Sequence, residues 1–178
     1  MLKLFICILS ISIIPSLAFS QEVNDLKKYT RSKHEEYMRS AIDEAKKNES
    51  YPFGAVIVDI ETGIILAKGV NQSSKNPTLH GEIVCMNNYV EKHGNKNWGK
   101  LVLYTTGEPC SMCMSALIWA GIGGVVYASS INGIKSSGIE QIAIKASQVK
   151  KSSKFTNPFL LGGILQNETD AMFLMRKK

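Results

Sequence analysis

From Ser32 to Asn48 apolar side chains return every three or four positions. Tyr37, Met38, Ala41, Ile42 and Ala45 line one stripe, the pattern of an amphipathic helix. Ser32 with Glu35 three residues later reads as a capping box, and His34 in that first turn reads as a surface residue. The period then shortens. "PFGAVIVDI" and "GIILAKGV" are β-rich runs joined by residues 59–63, where Gly63 can supply the positive φ of a hairpin turn. A polar loop, "NQSSKNPT", leads into a second helix from Thr78 to about His93, with Gly94 as its left-handed cap. His93, near that helix's C-terminus, suits the dipole better than a metal. "LVLYTT" is a strand. Pro109 then fits the first turn of a helix that ends at Ala120 and stops at Gly121. "GGVVYASS" is another strand, 138–150 reads as helix, and "PFLLGGIL" as strand or loop. Asn167–Arg176 reads as a last helix, with Glu168 and Asp170 at its positive end. Strands alternating with helices predict an α/β domain whose sheet is covered on both faces, a three-layer α/β/α arrangement.

The first twenty residues break this pattern. Lys3 precedes an apolar run from Leu4 to Ile14, Pro15 interrupts it, and Ala18-Phe19-Ser20 places small residues just before Gln21. These are the parts of an export signal in order. The run is short of the ~20 residues that span a bilayer. The expectation is a signal peptide over 1–20 and a single domain over 21–178, exported to the periplasm or secreted, with no membrane attachment after cleavage. Composition is that of a globular domain with a core, 44% hydrophobic and 20% charged. The formal charge of +6 falls to +5 once Lys3 is removed. The lysines are scattered, which argues against a nucleic-acid groove.

Cleavage would leave Cys85, Cys110 and Cys113, an odd number and so no full disulfide framework. A Cys110–Cys113 bridge closes so small a loop that it would stabilise by only about 2 kcal/mol. A redox Cys-x-x-Cys at a helix start is the more serious alternative, because that position lowers thiol pKa. A zinc site needs a further ligand, and "PTLHGEI" stands thirty residues upstream with His80 and Glu82. H-x-E followed by P-C-x-x-C is the signature of zinc deaminases. Three ligands, His80, Cys110 and Cys113, would leave a fourth position for water, whose pKa zinc lowers toward ~7. Glu82, close to the metal but not on it, would carry the water's proton to a ring nitrogen and then to leaving ammonia. Cys85 reads as a buried, inert thiol.

"PFGAVIV", "NPTLHGEI" and "LYTTGEPCSMCMSALIWAGI" closely resemble the cytidine deaminase-like superfamily over about residues 31–130. "PFGAVIV", "NPT" and "EPCSMCMSALIWA" are similar to the bacterial guanine and nucleoside deaminase branch. "LHGEI" and "LYTT" look more like fungal-type cytosine deaminases, because most guanine and tRNA-adenosine deaminases have alanine where Gly81 stands. The resemblance implies a five-stranded mixed sheet with helices on both faces, one Zn2+, and a homodimer. By position it implies zinc ligation by His80, Cys110 and Cys113, and a proton shuttle at Glu82. It implies substrate contact at Asn71, at the backbone of Gly81 and Cys110, and at Trp119 and Phe53, the last two being equally readable as core. Phe155, Phe159 and Asp170 are candidates for closing the pocket from the C-terminal region.

The resulting expectation is a zinc-dependent hydrolytic deaminase of a free nucleobase or nucleoside, guanine favoured. Cytosine is the runner-up, a tRNA adenosine deaminase applies if the chain is not exported, and an exported thiol oxidoreductase is the reading from a different class.

Overall fold

The computed structural model describes residues 29–178, so the proposed signal segment lies outside the described residues. The chain runs α1 (Arg31–Ala45), β1 (Gly54–Asp59), β2 (Ile65–Val70), α2 (Gly81–His93), a 3-10 turn (Trp98–Lys100) and β3 (Leu101–Gly107). It continues through α3 (Ser111–Ala120), β4 (Gly124–Ser129), α4 (Ile131–Ser136), α5 (Ala146–Ser152), β5 (Phe159–Leu161) and α6 (Gln166–Leu174). The five strands form one sheet in the order β2-β1-β3-β4-β5. β1 is antiparallel to both β2 and β3, whereas β3, β4 and β5 are mutually parallel. The sheet is therefore a five-stranded mixed sheet, as expected.

Alternation along the central strands builds the two cores. Ala55, Ile57, Leu101 and Leu103 face one way, against Cys85 and Tyr89 of α2 and Met114 and Leu117 of α3. Val56, Val58, Val102 and Tyr104 face the other way, against Tyr37, Met38 and Ala41 of α1. Both faces of β3 are buried along its whole length, as a central strand between two helical layers requires.

Two glycines let the helices approach this closely. A Cβ on Gly54 would lie 2.3 Å from the Ala41 carbonyl oxygen of α1, and one on Gly69 would lie 2.3 Å from the Cys85 nitrogen of α2. In both cases the obstacle is helix backbone, so no side-chain rotation relieves it. Gly54→Ala is expected to destabilise the fold by about 3 kcal/mol or more. A denaturant titration checks this, and a midpoint near wild type would show that α1 can retreat from the sheet at little cost.

Three local readings differ from expectation. α1 is capped by Thr30, whose hydroxyl accepts from the Lys33 N–H, not by Ser32. His34 is buried, and its Nδ1 lies 3.0 Å from the Tyr104 hydroxyl. It stands one helical step before Tyr37 and Met38, on the apolar stripe itself. Residues 138–145 are not helical: α4 ends at Ser136 and α5 starts at Ala146. Smaller departures also occur. Pro109 precedes the cap of α3 and is not in its first turn. Gly94 has φ +77° but ψ 169°, so α2 ends in an extended turn.

Candidate active site

The site lies where two helices begin. His80 is the cap residue of α2 and Cys110 the cap residue of α3. The two side chains turn toward one another across the helix starts. Cys113, one turn into α3, completes a cluster whose donor atoms all lie within 4.8 Å of each other. His80 Nδ1 is 3.7 Å from Cys110 Sγ and 3.6 Å from Cys113 Sγ. A tetrahedral zinc with ordinary Zn–N and Zn–S bonds places nitrogen and sulfur about 3.6 Å apart, so these donors fit that ion. All three cysteines among the described residues are free thiols.

Electrostatics favour the ligand state. The Cys110 thiol is lowered to about 4, by its hydrogen bond with Cys113 and then by His80, against the opposing effect of burial. Cys113 is driven the other way by its bond to Cys110 and by burial, so in the metal-free site one proton sits between two sulfurs on Cys113. His80 is raised, chiefly through its bond with Cys110. The Cys85 thiol lies in the apolar core, and burial pushes it far up. Iodoacetamide is therefore expected to label Cys110 first in the chelator-treated protein, with a rate nearly flat between pH 6 and 8. Cys85 should stay unlabelled until the chain unfolds. Peptide masses check the order, and early labelling of Cys85 would contradict its burial.

Glu82, two residues beyond His80, is 3% exposed. Burial first, and then the Cys110 sulfur, push its carboxyl up to about 7. A carboxyl with that value accepts and returns a proton near neutral pH.

A cavity of about 230 Å³ opens beside the cluster, lined by Phe53, Asn71, His80, Glu82, Glu108 and Cys110 together with Tyr51, Ser73 and the 139–142 segment. Asn71 is buried, and its Oδ1 accepts from the Ser73 N–H at 2.8 Å. That bond fixes the amide and directs its two Nδ2–H donors to other partners. Phe53 belongs to both cleft and core: it lines the cavity and packs on Phe173 with ring centroids 4.8 Å apart. A Cβ on Gly81 would lie 2.4 Å from the Phe53 carbonyl oxygen, so this chain has closed the space an alanine would need.

Trp119 is placed elsewhere. It is 78% exposed, its ring lies against Phe155, and within one protomer it forms neither core nor cavity wall. Phe155, Phe159 and Asp170 do not line the cavity either. The wall comes from Ile139, Glu140, Gln141 and Ile142, in the stretch read from sequence as helix.

Glu108 was not singled out by its pattern. It is buried, and its carboxylate accepts from the Ile131 N–H and the Ala146 N–H, both at 2.9 Å. It thereby satisfies N–H groups at the starts of α4 and α5 at once. Its place directly before Pro109-Cys110 was the available signal.

Residues 31–129 match the family model described as the cytidine and deoxycytidylate deaminase zinc-binding region. The chain is 32% identical over 132 residues to guanine deaminase of Bacillus subtilis (strain 168), covering 71% of this chain and 83% of that protein. It is also 32% identical over 133 residues to a tRNA-specific adenosine deaminase of Rickettsia felis, covering 74% of this chain and 87% of that protein. A solved structure of guanine deaminase from Nitrosomonas europaea superimposes with a TM-score of 0.69 at 20% identity, over 78% of this chain and 81% of that chain.

Proposed function

This chain belongs to the cytidine and deoxycytidylate deaminase family, as a deaminase, and we propose that it is a zinc-dependent hydrolase of a free purine base, guanine first. The observation that carries this reading is the convergence of His80, Cys110 and Cys113 with the buried carboxyl of Glu82 on one small cleft. The cavity falls below the roughly 300–1,000 Å³ of drug-sized pockets, which suits a base better than a larger ligand. The similarity to guanine deaminase over most of both chains supports the choice of base. An equal similarity to a tRNA-specific adenosine deaminase favours, as the second reading, the same chemistry on an adenosine.

His80, Cys110 and Cys113 would hold the zinc, which when bound supplies Lewis acidity and an activated water at neutral pH. Glu82 would take a proton from water at its carboxylate and pass it to the adjacent ring nitrogen as the water oxygen bonds to the amine-bearing carbon. It would then carry the oxygen's second proton to the exocyclic amine, the C–N bond breaks, and ammonia leaves as the carbonyl forms. Asn71 holds a substrate acceptor with its Nδ2–H donors. Glu140 and Gln141, which line the same cavity, would accept from the N–H-rich edge of guanine. Phe53 covers one face of the ring and keeps bulk water from it. The reading includes a homodimer, and export directed by Met1–Ser20.

Ammonia release by the zinc-loaded chain from Gln21 onward tests the proposal. The panel is guanine, cytosine, adenine, their nucleosides and an adenosine-containing anticodon stem-loop. Turnover of guanine is expected. Turnover of the stem-loop alone would replace the first reading with the second, and silence with zinc bound would remove both.

A further inference from the structure

We propose that Arg176 is a positioning residue that sets substrate fit by bracing the cleft wall from Ser137 to Ile142; this rests on the deaminase reading of the cleft given above. The wall is irregular chain between α4 and α5. A loop held only at its ends samples many conformations, and a wall that wanders cannot hold a small planar ligand.

Three side-chain attachments from Glu108 and Arg176 flank or hold it. Glu108 provides two, receiving the N–H of Ile131 at the start of α4, the helix that leads into the segment, and the N–H of Ala146, where the segment enters α5. Arg176 provides the third, between them. Its Nη1 donates to the Ser137 carbonyl at 2.6 Å and to the Phe173 carbonyl at 3.1 Å, and its Nη2 reaches the Gly138 carbonyl at 3.4 Å. The Ser137 and Gly138 carbonyls lie just past the end of α4, where helical partners have run out, and the Phe173 carbonyl lies in the last turn of α6. Among the described residues Arg176 makes no ion pair with a carboxylate, and all three of its hydrogen bonds go to main-chain oxygens. Its fork geometry is used to fix backbone, which a lysine ammonium does less well.

The position of the brace links it to the ligand. The chain turns at Gly138, with φ +83°, and the next residue, Ile139, is buried beside Ile134 and Phe173. Ile139 through Ile142 are the wall itself. Phe173, three residues before Arg176, packs on Phe53, which also lines the cavity. The segment from Phe173 to Arg176 thus holds two lining residues of the cleft, Phe53 and Ile139, through Phe173 and the 137–138 backbone through Arg176, without itself lining the cavity. Loss of the brace should weaken ground-state fit, while Glu82 and the metal ligands, which it does not touch, keep their geometry.

The test compares R176A and R176K with wild type in the full chain, by hydrogen exchange at amides 138–142 and by KM and kcat for ammonia release. In R176A exchange should accelerate at those amides and not in β1 or β3. KM should rise ~10-fold with kcat within ~3-fold, and R176K should fall between. Unchanged exchange at 138–142 overturns the brace. Faster exchange with unchanged KM overturns its role in substrate fit, and an equal fall of kcat and kcat/KM does the same. If R176A does not fold, R176K decides by the same criteria. Wild-type silence on every substrate would overturn the deaminase reading instead, and the exchange result would still decide the brace.

Discussion

Glu82→Gln should leave zinc content at one per chain and lower kcat by about 10³-fold. Glutamine keeps the size and one carbonyl acceptor but neither accepts nor returns a proton at neutral pH. The carboxyl is 3% exposed, so no outside base replaces it. The variant carries a second signature that does not depend on activity. Burial raises Glu82 from the ordinary glutamate value of 4.5 to about 7 in the metal-free protein. For an acid with a raised folded value, the unfolded chain releases its proton first as pH climbs, so stability falls between about pH 4.5 and 7. Glutamine has no proton to lose there. Metal-free wild type should therefore lose melting temperature across that window while metal-free E82Q loses less, and the gap between them should stay constant above pH 7. Retained turnover would remove Glu82 from the chemistry, and lost zinc would make it a ligand instead of a proton carrier.

The cluster was legible in the sequence because each half of it is local. His80 and Glu82 are two residues apart at one helix start, and Cys110 and Cys113 are one turn apart at another. Short spacing at a cap residue fixes direction before tertiary structure is known. The strands were legible for the same reason, since their alternation and β-branched content are properties of single segments. What failed was non-local. The 138–150 stretch reads as helix, and Ile139 and Ile142 stand one helical step apart in it. In the fold Ile139 is buried while Ile142 and Ile144 are exposed, and the backbone is held by Glu108 and Arg176 from elsewhere in the chain. His34 reads as a surface residue from its place in the first turn, although its position on the stripe of Tyr37 and Met38 points inward. The partner that makes its burial tolerable, the Tyr104 hydroxyl, lies seventy residues away. Trp119 shows a further limit. Helical spacing offers core or pocket for an aromatic residue, but the side chain stands at the surface against Phe155.

Cys113→Ser should abolish zinc retention and with it the activity, a loss well beyond the ~10–100-fold that substitutions behind the ligands cause. Cys113 is fully buried on the first turn of α3, so the serine hydroxyl would occupy the same place with a harder, protonated donor. Two ligands then remain where three are needed. Wild type should gain melting temperature when zinc is added, because a ligand that binds only the folded state stabilises it. C113S should show no such gain, and chelation of wild type should bring the two together. His80→Ala is expected to match C113S in zinc content and in its indifference to chelator, since Nδ1 lies almost equally far from both sulfurs. That last comparison separates the metal site from a redox pair. A disulfide-forming Cys110 and Cys113 would lose function on serine substitution too, but it would ignore chelator and would not need His80. Full activity of H80A in the presence of chelator would return the two cysteines to redox chemistry.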